Sequence, residues 1–429
     1  MASYKETLDY LYAQLPMFTR VGASAFKTDL HNTIALLDLL QQPHHSFKTI
    51  HVAGTNGKGS SSHMLAAIFQ QAGYKTGLYT SPHLLDFRER IRINGQMIPE
   101  DFVTQFTDTM RPHIEDIQPS FFELTVAMAF RYFQEEKVDI AIIEVGLGGR
   151  LDSTNVITPE LSLITNISFD HKNLLGDTLP QIAAEKAGII KPGVPVVISE
   201  TQSEVQDVFI NTAQAAGAPI HFADQEWLEA SNAIEDNHFT LTLLDTRQQQ
   251  MRRLQLDLTG HYQEKNVMGV LSAVKILQQN GWHITWDHIT QALSHVRKLT
   301  GLRGRWEVIK QHPLTVLDVG HNEAGIKEIM EQLGHVNYQQ LHIVVGFVKD
   351  KEVEKVLPLF PSTAHYYFCK AQIPRALDEV ALAEMAAESG LKGAPYATVQ
   401  TALQAARQHA QPEDMILVCG SFFIVAEVM

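Results

Sequence analysis

The stretch IHVAGTNGKGSSSH, beginning at Ile50, runs an apolar segment into glycines placed around Lys58 and then into hydroxyl residues. These types suit phosphate binding: glycine lets backbone N–H groups approach an anion, lysine adds a point charge, and serine adds a hydroxyl. The spacing differs from the common nucleotide loop, G-x-x-x-x-G-K-[ST]. Gly54 and Gly57 enclose only Thr55 and Asn56, and Gly59 separates Lys58 from Ser60. The context is complete all the same. Gly54 follows a strand pattern, and Ser60 to Ser62 open a helical one whose N-terminus favours negative charge. An anion site follows, with Lys58 and Ser60 or Ser61 as its side chains; the plainer alternative is a tight glycine turn with a solvated lysine.

Other polar residues also end apolar runs. Glu144 closes VDIAIIE, where a carboxylate is costly unless it is paired or binds a cation. An arginine partner would make it purely structural. Asp170 and His171 follow ELSLITNIS, and the histidine is either a ligand or a satisfied bystander. Lys186 lies in LPQIAAEKAGIIK, where the residues alone favour a snorkelling or salt-bridged lysine. Further on come Arg305 in GRWEV, Asp318 at the end of LTVLD, His321 and Asn322 just after it, and Ser421 in CGSFF. Each of these could equally serve as a cap or turn residue.

The elements that must position these groups are legible as a rhythm. KTIHVAG, TGLYTS, VDIAIIEVG, ELSLITNIS and VPVVIS read as buried strands, and between them lie helical patterns such as FELTVAMAFRYFQEE. This alternation predicts an α/β fold: a P-loop-type, mostly parallel sheet wrapped by helices. A hairpin-like region, HFTLTLLDTRQQQMRRLQLDL, precedes the helical GHYQEKNVMGVLSAVKILQQNG. The rhythm restarts with WEVIK, LTVLD, LHIVVGF and MILVCG, which predicts a smaller C-terminal Rossmann-like α/β domain. The expected boundaries are 1–296 for the first domain, 297–304 for a glycine-containing linker and 305–429 for the second. In such sheets ligands bind at the carboxyl ends of strands, where these polar residues fall.

Composition narrows the class. With 429 residues and 45% hydrophobic content, the chain suits two or three packed domains. A net charge of -14 argues against nucleic acid or an anionic membrane as the main partner. No window approaches the roughly 20 apolar residues of a membrane span. MASYKETLDYLYAQLPMF lacks the apolar core of a signal peptide, so a cytoplasmic protein is expected. Cys369 and Cys419 lack metal-type spacing and read as reduced core residues.

Taken together, the segments resemble the folate branch of the Mur-type amide ligases, the folylpolyglutamate and dihydrofolate synthases. GTNGKGS is similar to that family's own phosphate loop. The likeness continues through TSPHLLDFRERIRING, SFFELTVAMAF, EVGLGGRLDSTNV, ISFDHKNLLGDT, IAAEKAGIIKPG, GHYQEKN, GRWE, LDVGHN and CGSFF, all in family order. The resemblance implies Mg²⁺- and ATP-dependent joining of L-glutamate to dihydropteroate and to reduced folates through an acyl phosphate. It implies a monomer with small-molecule partners only. An enzyme that only extends folylpolyglutamates is the alternative, and a nucleotide-gated switch that forms no amide is the distant one.

The resemblance also implies roles. Gly54, Thr55, Asn56, Gly57, Lys58, Gly59 and Ser60 would hold the ATP phosphates, and Asn266 would lie near the adenine. Ser81, Glu144 and His171 would surround Mg²⁺, with Lys186, if carbamylated, ligating a second ion. Arg305 would reach the γ-phosphate and Asp318 the ribose; Lys58, His171, Lys186 and Arg305 would form the catalytic set. Pro82, His83, Ser120, Phe122, Asp152 and Ser153 would meet the folate, and His321 and Ser421 the glutamate. The implied hinge, about which two domains close on ATP, lies near Gly301. Three departures are visible. Gly320 and Glu323 stand where the family often has alanine and proline, Ser120 opens an S-x-F-E segment in place of T-x-F-E, and Ser153 replaces alanine in RLDSTN.

Overall fold

Runs of Val, Ile and Leu that can be buried on both faces pair as parallel strands, and the strand patterns do so here. The computed structural model describes residues 2–17, 22, 29–349 and 352–429. They form two compact units: Met1–Ser168, Lys172–Asp257 and Gln263–Leu302 in the first, Phe169–His171, Leu258–Tyr262 and Arg303–Met429 in the second.

In the first unit, β1 (Lys48–Ala53), β2 (Thr76–Tyr79), β3 (Ile91–Ile93), β4 (Gln96–Met97), β5 (Ile140–Glu144), β6 (Leu161–Ile164), β7 (Val196–Ile198) and β8 (Ile220–Phe222) form one sheet. Its order is β4-β3-β2-β5-β1-β6-β7-β8. β1 is central, parallel to β5 on one side and β6 on the other, with Val52 opposite Glu144 and Ala53 opposite Ile164. This register brings the carboxyl ends of β1, β5 and β6 level, which is where a doubly wound sheet binds ligands. Helix Phe121–Glu135 buries Phe130 and Phe133 completely, and helix Leu179–Ala187 buries Ile182 and Ala183, both on the sheet face that carries Ala141, Ile143, Ile164 and Val196. Each buried phenylalanine contributes about 1.5–3 kcal/mol of transfer free energy. The β3–β4 edge is an antiparallel hairpin closed by Asn94 (φ +47°) and Gly95 (φ +75°). That Asn-Gly pair is a hairpin signal in its own right.

Where a hairpin was expected, β9 (Trp227–Glu235), β10 (His238–Asp245) and β11 (Gln250–Leu256) form a three-stranded antiparallel sheet. β9 is largely exposed, so it offers no apolar run to read.

In the second unit, β12 (Glu307–Gln311), β13 (Leu314–Leu317), β14 (Leu341–Val345), β15 (His365–Cys369), β16 (Gly393–Tyr396) and β17 (Met415–Cys419) are ordered β12-β13-β17-β14-β15-β16. Only β12 runs antiparallel. β16 carries no buried residue, which is why its sequence gives no strand signal. Cys369 and Cys419 are free thiols in the core, and burial pushes both thiols well above their ordinary pKa.

The expected linker is not featureless. Its first residues belong to the short helix Val296–Thr300, which ends at Gly301 with φ +73°, and the units divide between Leu302 and Arg303. No helix of the described residues is long and apolar enough to cross a membrane.

Candidate active site

The loop after β1 is held from several sides. The Thr55 N–H donates to the Asn166 carbonyl at 2.8 Å, and the Asn56 N–H to Asn166 Oδ1 at 2.9 Å. Thr165 Oγ1 donates to the Asn56 carbonyl at 2.5 Å. Gly54 has φ +143°, and a Cβ there would run into Thr165 Oγ1. The following helix, Lys58–Gln71, starts at Lys58, two residues before the expected Ser60, because Gly57 turns the chain in the left-handed region. Gly57 supplies no side-chain cap, so the first N–H groups of the helix present an anion site. Lys58 Nζ folds back onto the carbonyls of Gly54 and Thr55, each at 3.0 Å. Gly59 and Ser60 are buried in the first turn.

Helix Gln263–Gln279 buttresses this loop. Gln263 Nε2 donates to Ser60 Oγ at 3.1 Å, and Asn266 Nδ2 donates to Gln263 Oε1 at 2.9 Å. The side-chain oxygen Oδ1 of Asn266 fills the space a Cβ on Gly57 would need. Gly57→Ala is therefore expected to weaken nucleotide binding about tenfold: alanine at φ +86° costs about 1–2 kcal/mol, before any displacement of Asn266. Calorimetric titration with ADP measures this, and an unchanged affinity would contradict the role given to the turn.

Glu144, at the end of β5, is 3% exposed and accepts the Ser81 N–H at 3.3 Å. The Ser81-Pro82 bond is cis, and Pro82 is exposed. Lys186 does not snorkel: it is 4% exposed and its Nζ donates to the Gly54 carbonyl at 2.9 Å. Asp152 is buried with every oxygen in use. Oδ2 accepts the N–H groups of Gly146 (3.0 Å) and Leu147 (2.9 Å), and Oδ1 accepts the N–H (3.0 Å) and hydroxyl (2.5 Å) of Thr154. Burial raises its pKa, and these hydrogen bonds oppose the rise. Since the Thr154 hydroxyl proton goes to Asp152, His51 Nε2 must donate to Thr154 Oγ1, 2.8 Å away.

His83 accepts from Arg90 Nε at 2.8 Å; burial and the guanidinium push its pKa down to about 3, so the imidazole is neutral. Ser120 caps helix Phe121–Glu135 in a capping box with Glu123. The Phe122 ring packs on the backbone of Gly146 and lies 6.0 Å from the Tyr79 ring. Ser153 is 8% exposed in the turn that follows Asp152.

The second unit assembles its own cluster at the ends of β13 and β17. Asp318 Oδ2 accepts from the Tyr262 hydroxyl (2.7 Å) and the Trp306 N–H (2.8 Å), and Oδ1 accepts the Gly320 N–H (2.8 Å). Burial raises the Asp318 pKa against these donors. The Arg305 guanidinium lies 5.1 Å and the His321 ring 5.9 Å from the centre of the Phe422 ring. Ser421 caps helix Phe422–Ala426, its Oγ accepting from Ile424 N–H at 3.1 Å. Asn322 caps helix Glu323–Leu333. The helix start thus tolerates Glu323 in place of proline, because an acid at the first helical position suits the dipole.

Asp170 had no assigned role, yet it ties this cluster together. Its Oδ2 lies 3.3 Å from His321 Nε2 and accepts from Asn322 Nδ2 at 3.2 Å, while Oδ1 accepts the His171 N–H at 2.9 Å. His171 itself takes φ +50°, an unusual conformation that often marks a functional position. Tyr262 and Gln263 were likewise unassigned; their only sequence signal is that they flank the same helix start as Asn266.

Among the described residues no group of three or more His, Cys, Asp or Glu side chains could hold a metal ion. Mg²⁺ needs no such cage, since it commonly takes one or two carboxylates and fills its shell with water and phosphate oxygens. The buried Glu144 carboxylate beside Ser81 supplies oxygen donors of that kind. His171 belongs to the second unit, so Ser81 and Glu144 are the expected ligands that the first unit itself brings together.

Comparison with known proteins matches both units. The Mur ligase middle domain matches residues 52–274, and the Mur ligase glutamate ligase domain matches residues 304–422. A dihydrofolate synthase/folylpolyglutamate synthase of Bacillus subtilis (strain 168) is 34% identical over 388 residues, covering 87% of this chain and 86% of that protein. A folylpolyglutamate synthase of Lacticaseibacillus casei is 31% identical, covering 99% of this chain and 98% of its own. Among solved structures, Escherichia coli FolC in complex with DHPP and ADP superposes with a TM-score of 0.85 at 28% identity, covering 100% of this chain and 97% of that one.

Proposed function

Since the chain belongs to the folylpolyglutamate synthase/dihydrofolate synthase family of Mur ligases, we infer that it uses ATP to join L-glutamate to dihydropteroate and to reduced folates. The observation that carries this reading is the level placement of the glycine loop, Glu144 and Thr165 at the ends of β1, β5 and β6.

In this reading a carboxylate oxygen of the pterin substrate attacks the γ-phosphorus of ATP and ADP leaves. The amine of L-glutamate then attacks the acyl carbon, inorganic phosphate leaves, and the amine proton passes to solvent. Positioning and charge neutralisation dominate such transfers. The N–H groups at the start of helix Lys58–Gln71 cradle the phosphates, and Lys58 turns from the Gly54 and Thr55 carbonyls toward them. Ser81 and Glu144 would hold Mg²⁺, whose charge offsets that of the phosphates.

Lys186 is carbamylated in this reading. A buried amine is more readily neutral, so it adds CO₂ with loss of a proton, and the carbamate N–H can keep its bond to the Gly54 carbonyl. Arg305 serves the γ-phosphate and Asp318 the ribose. A carboxylate offers about four acceptor sites, of which three are filled here. His321 and Ser421 place the glutamate, and the working form is a cytoplasmic monomer.

The test is phosphate release with Mg²⁺, ATP and L-glutamate, comparing dihydropteroate, tetrahydrofolate and no pterin. Turnover with both pterins is expected. Turnover with tetrahydrofolate alone would select the narrower activity for which the Lacticaseibacillus casei relative is named. Release indifferent to either pterin would leave a nucleotide switch.

A further inference from the structure

We propose that Arg90 receives the carboxylate of the pterin-borne acceptor, and so orients the oxygen that is to be phosphorylated. The inference deepens the ligase reading above and rests on it.

Arg90 is 5% exposed at the end of the short 3₁₀ turn Phe87–Arg90. The side chains its guanidinium touches are neutral. Nε donates to His83 Nδ1 at 2.8 Å, and the guanidinium lies 5.3 Å from the centre of the Phe121 ring. Among the described residues no carboxylate forms an ion pair with it. The nearby acids are committed elsewhere. Arg88 takes Asp86 at 2.6 Å and Glu100 at 3.0 Å, and Glu89 accepts the N–H groups of Leu84, Leu85 and Asp86.

A guanidinium keeps its proton even when buried, and a buried charge with only neutral partners is costly. A buried cation of this kind is poised for an anion that arrives with a ligand. Its position says which one. The Arg90 carbonyl accepts the Thr80 N–H at 3.0 Å just beyond β2, and β2 lies beside β5 with Tyr79 opposite Ile143, the residue before Glu144. Arg90 therefore belongs to the cluster at the ends of β2 and β5, whereas the ATP phosphates have their own cradle after β1. The Phe121 ring faces the guanidinium, and arginine matches a planar carboxylate with two parallel hydrogen bonds.

The experiment measures equilibrium binding of pteroic acid and of its analogue with hydrogen in place of the carboxylate, in the presence of Mg²⁺ and ADP. Wild-type protein should prefer the acid. Arg90→Met should lower affinity for the acid about 30-fold and leave the analogue unchanged. Equal loss for both ligands would make Arg90 a purely structural residue, and no loss for either would also overturn the proposal. Should Arg90→Met fail to fold, Arg90→Lys keeps the charge and stem; the ratio of the two affinities should fall several-fold, and an unmoved ratio overturns the proposal. Failure of wild-type protein to bind either ligand would instead count against the ligase reading.

Discussion

Replacing Lys58 with alanine lowers glutamate-dependent phosphate release by about 10³-fold, the loss expected when one preorganised cationic donor is removed from a developing phosphoryl charge. That corresponds to about 4 kcal/mol of transition-state stabilisation. The fold should survive. Lys58 contributes two hydrogen bonds to its own loop, at Gly54 and Thr55, but the loop is separately held by Asn166, Thr165 and Thr55–Ser168 contacts. A melting temperature within a few degrees of the parent, together with the lost rate, would place the lysine in the chemistry. Undiminished glutamate-dependent turnover would remove the loop from the mechanism.

Lys186→Ala is expected to cost about 10²-fold or more in kcat, because it removes both the proposed carbamate and the bond to the Gly54 carbonyl. The two effects separate experimentally. A carbamate is a carboxylate-like group on a stem, so acetate or formate diffusing into the truncated site should restore part of the rate in a concentration-dependent way. Loss without rescue would assign Lys186 to positioning Gly54. Full activity of the variant would exclude both roles. A carbamate would also make the wild-type rate sensitive to removal of dissolved CO₂, a sensitivity that the Lys186→Ala variant should lack.

Which parts of this were legible in the chain depends on how local each signal is. Alternating Val- and Ile-rich runs announced β1, β2, β5, β6 and β7, since strands buried on both faces must be apolar throughout. The same logic missed β9 and β16, whose residues are mostly solvent-facing and carry no apolar run. The glycine spacing at Gly54 and Gly57 pointed to a tight turn running into a helix, which begins at Lys58 because Gly57 turns left-handed. Composition alone favoured a snorkelling or salt-bridged Lys186, a reading the family resemblance reversed; the lysine is buried and its amine meets a carbonyl 132 residues away.

By itself, then, the sequence determined the two α/β halves, the glycine turn after β1 and the family, because strand periodicity, glycine turns and ordered motifs are all local properties of the chain. Only the tertiary structure decided the rest. It gathered His171, His321 and Asn322 around Asp170, committed all of Asp152 to its own loop, and left the Arg90 guanidinium among neutral partners. Those outcomes depend on strand order and register, which bring together residues up to 152 positions apart, and on which acids are already taken by nearer cations. No window of sequence contains that competition, since it is resolved only when the chain has packed.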